Sequence, residues 1–395
     1  MRPIASRISV MSGEGALSVF ARAKELERAG RSIIHLELGE PDFHPTGAVN
    51  DAAKRALDEG KDRYCPVAGV PALREEIVRY LRDTRGVNTS ASNVVIAPGC
   101  KIGLFMAMMA LVNPGDEVLY PEPGFPAYRS ITQGLGGVPV PFELAERNHL
   151  QPDPDEMAAK ITPRTGVIIT NSPGNPTGTV YTDAVQRRIA ELAVKHDLFL
   201  LSDEIYARII YDQSYISMMS YSGMEERTII IDGFSKSFAM TGWRLGYNVA
   251  PASVVPALEM LVVNSYTCVN EFIQYAAVEA LRDRDGHTPR MVAEFERRRD
   301  RFARELNSIS GFRCAPPHGA FYAWVNIADT GVAAEELCRI MLEEGGVAAI
   351  PGAAFGSAGK DFVRFSFASS IATLHEAVER IRRVSPAWER TAVTK

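Results

Sequence analysis

Apolar positions along the chain fall into two rhythms. Over residues 18–30 they recur at helical spacing, and a glycine closes the run. A short apolar strand over 33–38 follows and breaks at Gly39-Glu40-Pro41-Asp42. Pro71 to Arg85 reads as a helix, with proline in its first turn and Gly86 just past its end. Strand and helix then alternate. Residues 94–96 form a strand that runs into Pro98-Gly99-Cys100-Lys101 and an apolar helix to Leu111. Residues 117–120 are a strand stopped by Pro121, and 167–170 enter a loop rich in proline and glycine. A helix over 184–196 separates these from two further β-rich runs, 198–201 and 228–231, each followed by polar residues.

Short strands that are apolar on both faces, alternating with helices, predict a mostly parallel, doubly wound sheet with chemistry at its strand C-terminal ends. The texture changes after about residue 290. A charged helix over 290–306, carrying Arg297-Arg298-Arg299, leads into an aromatic strand at 321–325, another helix and a strand at 362–366. This reads as a separate α+β unit completed by the N-terminal segment, with the arginine run as a solvated helix face. The expected division is 45–290 for the large domain and 1–44 with 291–395 for the small one.

Composition narrows the function. The 395 residues are 46% hydrophobic and 23% charged, as in ordinary globular proteins. A net charge of −5 argues against a nucleic-acid binder working by bulk charge. The five cysteines are odd in number and lack CxxC spacing, so neither a disulfide framework nor a metal site is expected. The N-terminus lacks an apolar signal region and no window reads as membrane-spanning. These features fit a cytoplasmic protein with no membrane or nucleic-acid partner.

The chemistry concentrates in a few strings. Ser235-Lys236-Ser237-Phe238-Ala239-Met240-Thr241-Gly242-Trp243-Arg244 offers a lysine flanked by hydroxyls, then an arginine. A lysine amine loses its proton readily when desolvated, which suits a Schiff base with an aldehyde cofactor. Asn171-Ser172-Pro173-Gly174-Asn175-Pro176-Thr177-Gly178 follows a strand and reads either as a turn or as a site for Asn175 to bond a phenolic oxygen. Ser202-Asp203-Glu204-Ile205-Tyr206 also sits at a strand end. Its acids suit a helix start, or Asp203 a protonated ring nitrogen.

These strings, with Leu38-Gly39-Glu40-Pro41-Asp42-Phe43 and Arg364-Phe365-Ser366-Phe367-Ala368-Ser369 in order, resemble the class I/II aminotransferases of the fold-type I pyridoxal-phosphate enzymes. The likeness runs over nearly the whole chain and is similar to bacterial aspartate aminotransferases. It implies a seven-stranded, mostly parallel sheet between helices, plus a smaller α+β domain. It implies pyridoxal 5'-phosphate bound covalently by Lys236, and ping-pong transfer of an α-amino group to a 2-oxo acid.

By that resemblance Arg244, Ser235 and the backbone N–H groups at Cys100 and Lys101 would hold the phosphate. Phe125 would stack on the ring, Asp203 would pair with its nitrogen, and Tyr206 and Asn175 would face its phenolic oxygen. Arg364 and the Gly39 N–H would grip the substrate carboxylate, with Asn175 also on the substrate side. Tyr64 would reach the phosphate of the other subunit, making a homodimer with shared sites. The family pattern places Ser or Thr three residues before the lysine, where this chain has Gly233. Weaker cofactor retention is the expected consequence.

Substrate choice stays open. Lys101 matches a lysine that approaches a distal carboxylate in some relatives, yet at a helix start it equally faces solvent or phosphate. Glu14 in the pocket would favour a neutral or cationic substrate; on a loop tip it would do nothing. An aspartate-like donor is the first expectation. Aromatic, alanine-like or basic amino acids are alternatives, as is a lyase or racemase on the same fold.

Overall fold

The computed structural model describes residues 4–13, 15–284 and 286–393. Seven strands make the central sheet, in the order Val94–Ala97, Gly246–Val249, Thr228–Gly233, Phe199–Asp203, Thr165–Asn171, Glu117–Glu122 and Val138–Glu143. Gly246–Val249 runs antiparallel to both neighbours, and the other pairings are parallel. This is the mostly parallel seven-stranded sheet that the family resemblance implied. Parallel pairing brings the ends at Asn171, Asp203 and Gly233 to one edge of the sheet. The antiparallel strand sets Ala97 beside Gly233 through Gly246, and the loops there carry the candidate residues.

Side chains alternate across a strand, so successive residues enter different cores. Ile168 and Leu200 pack with Leu119, Ile189 and Ala193, whereas Ile169, Leu201 and Ile231 pack with Leu104, Met108 and Leu258. Burial on both faces explains why these strands lack a polar alternation. The helix Pro71–Arg85 begins and ends where its proline and glycine place it, with Gly86 left-handed at φ 68°.

A second, four-stranded antiparallel sheet has the order Ile350–Pro351, Phe362–Ser366, Tyr322–Asn326 and Arg313–Cys314. Its core gathers Phe295, Phe302, Phe321, Val325, Phe365 and Trp388, and Ile34 and Leu36 from near the N-terminus join it. The first strand is shorter than the sequence suggests, spanning Ile34–His35 and pairing with Val347–Ala348. Beyond it the backbone bonds elsewhere: the Leu36 carbonyl accepts from Ser366 N–H, and the Glu37 carbonyl accepts from the Arg364 side chain.

The arginine run corrects the expectation of a solvated face. Arg297 is exposed, but Arg298 and Arg299 are each only 6% exposed. Arg298 bonds Asp42 at 2.6 Å and lies 5.1 Å over the Phe43 ring. Arg299 bonds Asp212 at 2.9 Å and lies 4.7 Å over Tyr211. Their stems cover aromatic rings while the guanidinium groups find carboxylates. Among the described residues, no helix is long and apolar enough to cross a membrane.

Candidate active site

Lys236, Asp203, Tyr206, Asn175, Ser235 and Arg244 line one cavity of about 280 Å³, together with Phe125, Cys100, Lys101, Gly39 and Arg364. That volume is near the lower end for small-molecule sites. Its floor is the sheet edge. Asp203 ends the strand Phe199–Asp203 and is buried, its Oδ2 accepting from the Tyr128 hydroxyl at 2.7 Å. Burial pushes its carboxyl up to about 6, with the Asp232 and Glu204 charges adding to the rise and the Tyr128 and Ile205 bonds opposing it.

Lys236 lies three residues beyond the strand Thr228–Gly233, and its Nζ donates to the Gly39 carbonyl. Burial lowers the amine to about 8; Cys100 and Glu40 resist that shift, and the Arg364 and Arg244 charges add to it. The Cys100 thiol, by contrast, is held well above its ordinary range by burial and by the nearby Asp232 and Asp203.

An anion cradle adjoins the floor. The helix Cys100–Leu111 aims its N-terminal N–H groups inward, and Gly99 precedes it at φ 90°. A Cβ on Gly99 would lie 2.6 Å from the Arg244 guanidinium, so the bare backbone lets that cation sit over the helix end. Lys101, in the first turn, lies 5.4 Å from the Phe125 ring centroid.

Gly233 is closed to any side chain. A Cβ there would meet Gly246 Cα at 2.7 Å, Cys100 Sγ at 2.8 Å and the Leu245 carbonyl at 2.8 Å. A hydroxyl three residues before Lys236 therefore has no room. Gly233→Ser is expected to lower stability by about 1–3 kcal/mol, as overpacking does, without tightening anion binding. Denaturant unfolding and phosphate titration check this; unchanged stability with tighter binding would overturn it.

The remaining wall carries Arg364, which is 4% exposed on the strand Phe362–Ser366. Its Nη1 donates to Asn175 Oδ1 at 2.9 Å and its Nη2 to the Glu37 carbonyl. The guanidinium lies between Tyr322, 4.4 Å from its ring centroid, and Phe355 at 4.9 Å. With Asn175 Oδ1 engaged, its amide NH₂ remains as a donor in a residue that lines the cavity. The Tyr206 hydroxyl shares a 2.6 Å hydrogen bond with Tyr322.

Tyr64 does not line this cavity; the residue is 86% exposed. Glu14 lies outside the described residues. Sequence reasoning missed Tyr128 and Tyr322, and also Asn171, whose side chain bonds the Asp203 carbonyl at 3.1 Å and the Asn175 N–H at 2.8 Å. Asn171 had a signal, since it opens the Asn175 loop at a strand end. Tyr128 had only its place three residues after Phe125.

Residues 31–381 match the family model for aminotransferase class I and II. The chain is 38% identical over 385 residues to an aspartate aminotransferase of Pyrococcus horikoshii, covering 96% of each chain. It is also 38% identical over 386 residues to aromatic-amino-acid aminotransferase 2 of Thermococcus litoralis, covering 96% of this chain and 98% of that one. The solved aspartate aminotransferase of Thermus thermophilus with maleate superposes with a TM-score of 0.93 at 36% identity, over 97% of this chain and 100% of that one. The chain belongs to the class I and II aminotransferases, and its fold is theirs.

Proposed function

We propose that this aminotransferase holds pyridoxal 5'-phosphate in the cavity and moves the α-amino group of an aspartate-like L-amino acid to a 2-oxo acid such as 2-oxoglutarate. One observation carries the reading: an amine lowered to about 8, Lys236, shares one cavity with the buried acid Asp203 and the buried cation Arg364. The class I and II family uses pyridoxal phosphate, and the residues fit that group. Arg244, Ser235 and the N-terminus of the helix Cys100–Leu111 would take its phosphate. Asp203 would take its ring nitrogen, and the Asn175 amide and Tyr206 hydroxyl its phenolic oxygen. Phe125 would cover a ring face.

When bound, that cofactor supplies an electron sink for negative charge at the substrate Cα. The chain supplies the rest. Asp203, ionised above about 6, keeps a proton on the nitrogen it faces. Lys236 Nζ takes the Cα proton, and an amine near 8 is about a quarter neutral at pH 7.5 against roughly a thousandth at the ordinary value. Arg364 grips the α-carboxylate through two parallel bonds, with the Gly39 N–H as a second contact, and so fixes which Cα bond faces the amine.

The proposal includes a homodimer in which Tyr64 serves the partner's phosphate. Its exposure supports this, as do the exposed Phe105, Met109, Met260 and Val263 on two helices in mutual contact. Aromatic donors are the second reading, favoured by Leu17, Leu104 and Phe355 in the cavity wall and by the Thermococcus litoralis relative.

A half-reaction screen tests both. Each amino acid is mixed with the cofactor-loaded enzyme and loss of the visible band is followed. Aspartate or glutamate should react fastest, and 2-oxoglutarate should restore the band. Faster reaction with phenylalanine or tyrosine selects the second reading; failure of every 2-oxo acid to restore the band overturns amino transfer.

A further inference from the structure

We propose that Arg85, outside the cavity, is a positioning residue for the reaction: it clamps Glu204 to Asp232 and so fixes the strand ends that carry Asp203 and Lys236 while offsetting negative charge beside Asp203. The inference rests on the roles proposed above for those two residues.

Arg85 is the last residue of the helix Pro71–Arg85, and its side chain is 1% exposed. One guanidinium joins the residue just past one strand to a residue of the next. Nη1 donates to Glu204 Oε2 at 2.8 Å and Nη2 to Asp232 Oδ2 at 2.5 Å. Glu204 directly follows Asp203, and its N–H bonds the Ile231 carbonyl of the adjacent strand. Asp232 lies four residues before Lys236 on that same adjacent strand, which leads into the lysine loop. A planar fork can bridge two carboxylates held apart on neighbouring strands; a compact ammonium cannot span both equally.

The surroundings are built for this bridge. The Ser202 and Ser217 hydroxyls donate to Glu204 Oε1 at 2.9 and 2.5 Å. The Tyr247 hydroxyl donates to Asp232 Oδ2 at 2.8 Å, and Gly233 N–H to Oδ1 at 2.6 Å. Tyr80 packs its ring against Arg85 at 5.5 Å, with Arg208 at 5.8 Å from the same ring, and Tyr215 lies beside Glu204. One cation thus faces two buried carboxylates, leaving a net negative cluster.

That cluster acts on Asp203. The groups facing Asp203 are Tyr128 from the helix Ala127–Gly134, the Ile205 N–H, Cys100, Tyr206, Asp232 and Glu204. Among them Asp232 and Glu204 favour its protonated form. Without Arg85 their charge would act uncompensated, and Asp203 would lose at neutral pH about half of the charge it needs toward a ring nitrogen.

The test uses holoenzyme variants and two readouts: retention of pyridoxal phosphate on dialysis against pH, and the acid limb of the half-reaction rate. In Arg85→Met both should move up by about one pH unit, with retention weaker by about twofold at pH 7 and by nearly tenfold at pH 5. Arg85→Lys should recover at least half of the shift. Asp232→Asn, which keeps the Arg85–Glu204 pair, should move both down. The double variant Arg85→Met/Asp232→Asn, whose net charge equals the parent's, should return near the starting position.

A folded Arg85→Met with unmoved limbs overturns the proposal, as does a loss of rate without a pH shift. If Arg85→Met does not fold, Asp232→Asn decides alone, and unmoved limbs there overturn it. Asp203→Asn separates the underlying reading: retained cofactor and turnover in that variant overturn the role of Asp203 whatever Arg85 does.

Discussion

Lys236→Ala is expected to lower amino transfer by at least about 10⁴-fold, since it removes both a covalent anchor and the base at Cα. Among the described residues, Lys101 is the other amine that lines the cavity, and it is held elsewhere. Lys236 Nζ lies against the Gly39 carbonyl inside the cavity, whereas Lys101 sits in the first turn of the helix Cys100–Leu111 beside the Phe125 ring. The fold should survive and gain stability at neutral pH in the cofactor-free chain. The sign follows from the amine's lowered value of about 8. Below that pH, Lys236 is protonated in the folded and unfolded chain alike, and burying the charge costs stability in full. As pH rises from about 8 toward the unfolded value the cost fades, so variant and parent should converge. Single-turnover kinetics and denaturant unfolding across pH 7–10 provide the measurement. Normal turnover by the alanine variant would sink the assignment of Lys236, and a stability gap that widens with pH would sink the account of its lowered pKa.

Much of this site was legible because its signals are local. Lys236, Asn175 and Asp203 all sit where an apolar strand runs into polar residues, and the parallel sheet then collects those strand ends on one edge. The helix Pro71–Arg85 was legible for the same reason, its proline and glycine fixing both ends. What stayed hidden depends on partners distant in sequence. Tyr128 bonds Asp203 across 75 positions, and Tyr322 reads as one more aromatic in a buried strand until its hydroxyl meets Tyr206.

Two strands of the seven-stranded sheet escaped notice for compositional reasons. Val138–Glu143 carries prolines that only an edge strand tolerates, and Gly246–Val249 is short, opens with glycine and runs against its neighbours. Arg298 and Arg299 misled because a run of charge looks solvated, whereas here each guanidinium pairs with a carboxylate while lying over aromatic rings. Gly233 shows the opposite case. It looked like a missing phosphate ligand, and its surroundings show a position packed on three sides where no ligand fits.

Arg364→Leu should weaken amino- and oxo-acid binding by about 10²–10⁴-fold, the cost of losing a bidentate, charge-assisted grip on a carboxylate, while changing cofactor retention no more than about threefold. The asymmetry is the point of the prediction. Arg364 comes from the four-stranded sheet, whereas the helix end at Cys100, Ser235 and Arg244, proposed to hold the phosphate, lie on loops of the seven-stranded sheet. Its guanidinium is set by the Asn175 amide oxygen, the Glu37 carbonyl and two flanking rings, so its direction is fixed before any substrate arrives. Arg364→Lys separates charge from geometry: it keeps the cation but loses the planar fork, and should recover only part of the loss. Half-reaction rates at several amino acid concentrations, with pyridoxal phosphate affinity measured in parallel, give both quantities. Equal falls in the two would mean that Arg364 supports the cavity as a whole, and its role as the carboxylate clamp would be wrong.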